Sequence, residues 1–132
     1  MKAHGQKLLA LAALGLTLVT TPVPTWAGWA FSPGVTISPN QVGGSYARGS
    51  LVGTRYSADA VQYIGCTTTA TSTRTECYAK NTAGAYLYCS STNGAIYDTV
   101  QAMTDSSSIQ IQVDGSGTCT SVNIYHGSER LR

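Results

Sequence analysis

The sequence predicts a mainly β (α+β) fold: an antiparallel meander sheet or a small β-sandwich of roughly five to six strands, with one short helix and two disulfides. Three observations carry this. Segments rich in Thr, Tyr, Ile and Val alternate with small polar bends. A single segment shows helical periodicity instead. Four cysteines sit in a chain poor in large aliphatic residues that opens with an export signal.

The signal comes first. Lys2 and Lys7 precede an apolar run from Leu8 to Val19, followed by Pro22, Pro24 and the small-residue cut motif Thr25-Trp26-Ala27. This is the pattern of a secretory signal peptide over residues 1–27, cut after Ala27. A short buried helix is the competing reading, and the run is too short to span a bilayer. No cysteine follows the cut to carry a lipid. Residues 28–41 hold Trp29, Phe31, Pro33 and Pro39 and read as an extended N-terminal arm, since proline is poorly tolerated inside sheets. Residues 42–132 form the single disulfide-stapled domain.

Export also changes the charge. Without Lys2 and Lys7, six basic residues (Arg48, Arg55, Arg74, Lys80, Arg130, Arg132) face six acidic ones. The mature chain is formally neutral, which removes the electrostatic case for a nucleic-acid partner.

The domain's elements follow in order. Ser50 to Tyr56 reads as the first core strand after a glycine-punctuated lead-in. Gln62 to Thr68 places Ile64 and Cys66 on one face and Tyr63 on the other. Arg74 to Lys80 and Ala85 to Ser90 complete a meander, joined by bends at Ala70–Thr73 and Asn81–Gly84. On the last strand Leu87 and Cys89 oppose Tyr86 and Tyr88. Ser91, Thr92 or Asn93 then caps a helix starting near Gly94, with Ile96, Val100 and Met103 along one face. Ser108 to Val113 alternates strictly, Asp114-Gly115-Ser116-Gly117 turns, and Thr118 to Tyr125 returns.

Cys66, Cys77 and Cys89 fall opposite one another on three neighbouring strands. Adjacent strands lie about 4.8 Å apart, so Cys66–Cys89 is disfavoured and two connectivities stay open. They are Cys77–Cys89 with Cys66–Cys119, and Cys66–Cys77 with Cys89–Cys119. A simple turn puts Cys119 opposite Gln112 on the polar face. Either a glycine bulge shifts the register, or the Cys119 bridge lies outside the core. Metal ligation by the cysteines is the rival reading. With His126 the only histidine left and an oxidising destination, neither metal nor cofactor is expected.

The chain carries no GxSxG, HExxH, P-loop or GxGxxG. Asp114–Gly117 has too few carboxylates for a calcium loop. One catalytic constellation stands as the alternative: Glu76 and Arg74 on one strand face, with His126, as a small secreted nuclease-like hydrolase. Against it, spacing alone does not bring the three together, and a solvated strand face explains Arg74 and Glu76. The leading reading is a non-enzymatic recognition or adhesion module. Tyr63, Tyr78, Tyr86, Tyr88 and Tyr125, amid Ser, Thr and Asn, suit a polar partner, glycan or protein. Self-association is a third expectation: Ser108–Val113 has the composition of a zipper-forming segment if it is an exposed edge.

The run Gln62-Tyr63-Ile64-Gly65-Cys66, with Cys77-Tyr78-Ala79-Lys80, Cys89, a short helix and Cys119-Thr120, resembles small exported bacterial proteins of unknown function. The likeness spans approximately Gly49 to His126. It implies bacterial export, secreted or periplasmic, and a shared disulfide scaffold. It brings no activity, cofactor or catalytic residue.

Overall fold

The computed structural model describes residues 33–39 and 43–127; the signal peptide, Trp29 and Phe31 lie outside the described residues. Seven strands and two helices follow in the order β1 (Thr36–Pro39), β2 (Ser45–Ser50), α1 (Leu51–Arg55), β3 (Tyr63–Thr69), β4 (Arg74–Lys80), β5 (Tyr86–Ser91), α2 (Gly94–Gln101), β6 (Ser108–Val113), β7 (Cys119–Tyr125). They make two antiparallel sheets, ordered β1-β2-β6-β7 and β3-β4-β5. The predicted meander is the three-stranded sheet. The predicted arm contributes β1, an edge strand that ends at Pro39, where the missing N–H costs no ladder bond.

The first departure from expectation is Ser50 to Tyr56. This segment is the end of β2 followed by α1, not a strand. The Ser50 hydroxyl accepts the Gly53 amide at 3.1 Å, and the Thr54 hydroxyl donates back to the Ser50 carbonyl at 3.0 Å. These local bonds favour a helical turn over the extended form. The strand lies one step earlier, over Ser45–Ser50, and pairs with both β1 and β6.

Alternation decides the faces. Ile64, Thr75, Cys77, Ala79, Leu87, Cys89 and Ser91 turn inward from the three-stranded sheet, and Ala47, Ile109, Ile111, Val113 and Val122 from the other. The apolar members form one buried cluster closed by Ile96 and Val100 of α2, with half-buried Met103 against it. The helix is capped by Asn93, whose side chain accepts the Ala95 amide at 2.9 Å. The sheets meet closely at Gly49, where a Cβ would stand 3.2 Å from Val35 and 3.3 Å from Ile64. A side chain there would push β2 away from β3.

The disulfides are Cys66–Cys77 and Cys89–Cys119. The first joins directly opposed residues of β3 and β4. The second links β5 to β7 and so crosses between the sheets, beside a 3.2 Å bond from the Ser90 amide to the Gly117 carbonyl. A bulge makes this possible. Val113 pairs with Cys119 and Gln112 with Ser121, leaving Thr120 as the extra residue and turning Cys119 inward, 2 % exposed. The positive φ of Gly117 (84°) sets up the shift, and the Asp114 carboxylate holds the turn through the Ser116 and Thr118 amides, each at 2.9 Å.

The zipper-like segment Ser108–Val113 is not an edge. As β6 it is flanked by β2 and β7, with both rows of backbone groups spent.

Thr75 is fully buried on β4 and its hydroxyl has no hydrogen-bond partner among the described residues. A buried hydroxyl without a partner costs desolvation free energy that an isosteric apolar group does not. Thr75→Val is therefore expected to raise the unfolding free energy by about 1 kcal/mol in urea denaturation. A destabilised variant would show that the hydroxyl is paired in solution.

Candidate functional site

On the outward face of β3-β4-β5 the alternation that buries the cysteines exposes tyrosines. Tyr63, Tyr86 and Tyr88 are 42 %, 57 % and 42 % exposed, and Tyr78 is half-buried between them. The register sets two cross-strand rows. One runs Tyr63, Lys80, Tyr86; the next runs Gly65, Tyr78, Tyr88. The Tyr78 side chain lies across Gly65, its nearest atoms 3.4 Å from where a Cβ would stand, an ordinary packing distance. The Tyr78 ring meets Tyr63 edge-to-face at 5.9 Å between centroids and 65° between planes. Four of the five predicted binding tyrosines thus share one platform. Partial desolvation, with smaller contributions from Tyr63, Tyr88 and Tyr78, raises the Tyr86 phenol above its ordinary pKa. The Tyr86 hydroxyl therefore keeps its proton at neutral pH, able to donate and accept.

The fifth, Tyr125, is elsewhere. It projects from β7 on the outward face of the four-stranded sheet, where its hydroxyl donates to Gln110 at 3.3 Å and the Arg48 guanidinium sits 5.5 Å from its ring centroid. It does not join the platform.

Arg74 and Glu76 border the tyrosines as a 2.9 Å ion pair, and the Tyr88 hydroxyl donates to the same Glu76 oxygen at 2.9 Å. Tyr88 and then Glu76 push Arg74 above its ordinary pKa. His126 is not with them. Glu76 stands opposite Ser90, which bridges to Thr118 just before β7, whereas His126 follows the far end of that strand. Seven strand residues at about 3.3 Å each place the two ends about 20 Å apart, too far to share a substrate. His126 instead puts Nδ1 3.3 Å from the Ser107 hydroxyl, which is buried and accepts the Thr104 amide at 2.9 Å. This ties the end of β7 to the turn before β6.

The platform ends at an open cleft of about 340 Å³ beside Tyr63, lined also by Leu51, Thr54, Arg55, Gln62, Ile64 and Asp105. Its entry is rigidly built. Gln62 accepts the Val35 amide at 2.8 Å and donates to Asp59 at 2.6 Å, while Asp59 accepts the Val61 and Gln62 amides at 2.9 and 2.8 Å. Those backbone bonds, Gln62 first, lower the Asp59 pKa from 3.8 to about 2. The sequence does not announce the cleft, because Leu51, Thr54 and Arg55 of α1 line it and that segment reads as a strand.

A depressed folded-state pKa means stabilisation fully present above the ordinary carboxylate value and lost as pH falls through about 2. The Tm of the protein is expected to drop between pH 4 and pH 2 more steeply than that of Asp59→Asn. Parallel curves would remove Asp59 as a stabilising anion.

Among the described residues no three His, Cys, Asp or Glu side chains gather as a metal site, and no helix is long and apolar enough to cross a membrane. The two disulfides are consistent with an oxidising, extracellular or periplasmic environment. No family model, curated protein or solved structure matches the chain.

Proposed function

We propose that this chain is an exported, non-enzymatic recognition module that binds a polar surface, glycan or protein, through the tyrosine face of its three-stranded sheet. The supporting observation is the convergence of Tyr63, Tyr78, Tyr86 and Tyr88 from three strands onto one outward face. Tyrosine offers broad contact area with only two side-chain torsions to freeze, and a hydroxyl for polar partners. The backbone beneath is locked by the Cys66–Cys77 bridge, so little ordering cost attends binding.

A glycan array probed with the oxidised protein tests this. The control is Tyr86→Ala with Tyr88→Ala, two exposed positions whose loss spares the core. Binding to a class of glycans that falls about tenfold or more in the double variant is expected. Equal binding by both proteins would sink the reading. The hydrolase alternative has no geometric support, given the separation of Glu76 from His126.

A further inference from the structure

We propose that the platform's ligand is a polysaccharide of carboxylate-bearing pyranose units, a sugar acid, with Lys80 as the group that selects the acid. The inference rests on the recognition reading above and deepens it.

The charges on the face are unevenly spent. Glu76, its carboxylate, is committed to Arg74 and to the Tyr88 hydroxyl. Lys80 has neither a carboxylate nor a hydrogen-bond partner among the described residues. Among those residues Arg48 and Arg55 are the cations that stack on rings, those of Tyr125 and Tyr56, and neither ring is on the platform. Lys80 stands between Tyr63 and Tyr86 in one cross-strand row, with Tyr78 two residues earlier on the same strand face. A lone ammonium among phenol rings leaves the face with one uncompensated positive charge at the end of its middle strand.

That combination discriminates among ligands. A pyranose ring lays its C–H face on a tyrosine and turns its hydroxyls to neighbouring phenols. A carboxylate on the same ring then reaches an ammonium that holds no other anion. The two tyrosine rows lie one strand repeat apart, about 7 Å, so adjacent units of a sugar chain can occupy both. A nucleic-acid backbone fits poorly, because tracking phosphates requires several cations and Glu76 lies in the path.

Polygalacturonate and its fully methyl-esterified form are the probes, since esterification removes the charge and keeps the rings. The oxidised protein should bind polygalacturonate about tenfold more tightly than the ester in titration calorimetry. Lys80→Gln should abolish that preference while keeping the ester affinity, and Tyr86→Ala with Tyr88→Ala should weaken both. Equal affinity for the acid and the ester, with the tyrosine variant weakened, overturns the role of Lys80 and leaves the recognition reading standing. Dextran sulfate bound as tightly as polygalacturonate means polyelectrolyte attraction alone and overturns the sugar-acid assignment. Binding of neither pectin form, with no other glycan bound on the array, takes both readings down.

Discussion

Replacing Cys89 and Cys119 together by alanine is expected to lower the unfolding free energy by about 4 kcal/mol, against about 3 kcal/mol for Cys66 with Cys77. The chain-entropy difference comes from sequence separation, 30 residues against 11. Topology works in the same direction. Cys66–Cys77 closes a hairpin whose seven paired residues already fix the register. Cys89–Cys119 instead binds two sheets that otherwise meet through a thin interior of Ala, Val, Ile and one Leu, and both its cysteines are almost wholly buried. A domain of this size holds only about 5–15 kcal/mol in total, so the inter-sheet variant is close to unfolding at physiological temperature. Urea denaturation of both double variants reads this directly. A costlier loss of Cys66–Cys77 would mean that the hairpin, and not the junction of the sheets, is what the bridges protect.

That junction was also the least legible part of the sequence. Each hairpin announces itself locally: Asn81 and Gly84, then Asp114 and Gly117, stand between alternating segments. The cap at Asn93 and the stripe Ile96, Val100, Met103 are equally local, and the helix forms there. The pairing of β2 with β6 is not local. No alternation in Ser45–Ser50 says that its partner lies beyond the helix. A two-sheet sandwich could be expected, but which strands share a sheet, and the seventh strand, came only with the fold. The connectivity turned on a single residue. Thr120, as the bulge, decides that Cys119 faces Cys89 and not solvent.

The candidate site was legible to the same depth. Turning Cys66, Cys77 and Cys89 toward the interior forces Tyr63, Tyr78, Tyr86 and Tyr88 outward by the two-residue period, so their sharing a face follows from the cysteines. Composition groups Tyr125 with them, but its strand belongs to the other sheet. Lys80 carries no signal in the sequence, because its meaning depends on neighbours across strands and on the pairing of Glu76 with Arg74 and Tyr88.

Ile111→Ala is expected to cost about 3–4 kcal/mol, near the upper part of the range for buried aliphatic truncation. Ile111 is fully buried on the central strand β6, opposite Ala47 on β2 and Val122 on β7. With Ala47 already small, β2 has no side chain to move into the space, so a cavity persists. Ile37 is the matched contrast. It sits half-buried on the short edge strand β1, also across from Ala47, where the chain can relax toward solvent. Ile37→Ala should therefore cost no more than about 1–2 kcal/mol. Both substitutions leave the tyrosine face untouched, and binding measured where each variant remains folded should be unchanged. Equal costs at the two positions would imply that β6 is as free to adjust as the edge. The two sheets would then not be close-packed on this strand, and the disulfide order predicted above would lose its structural basis.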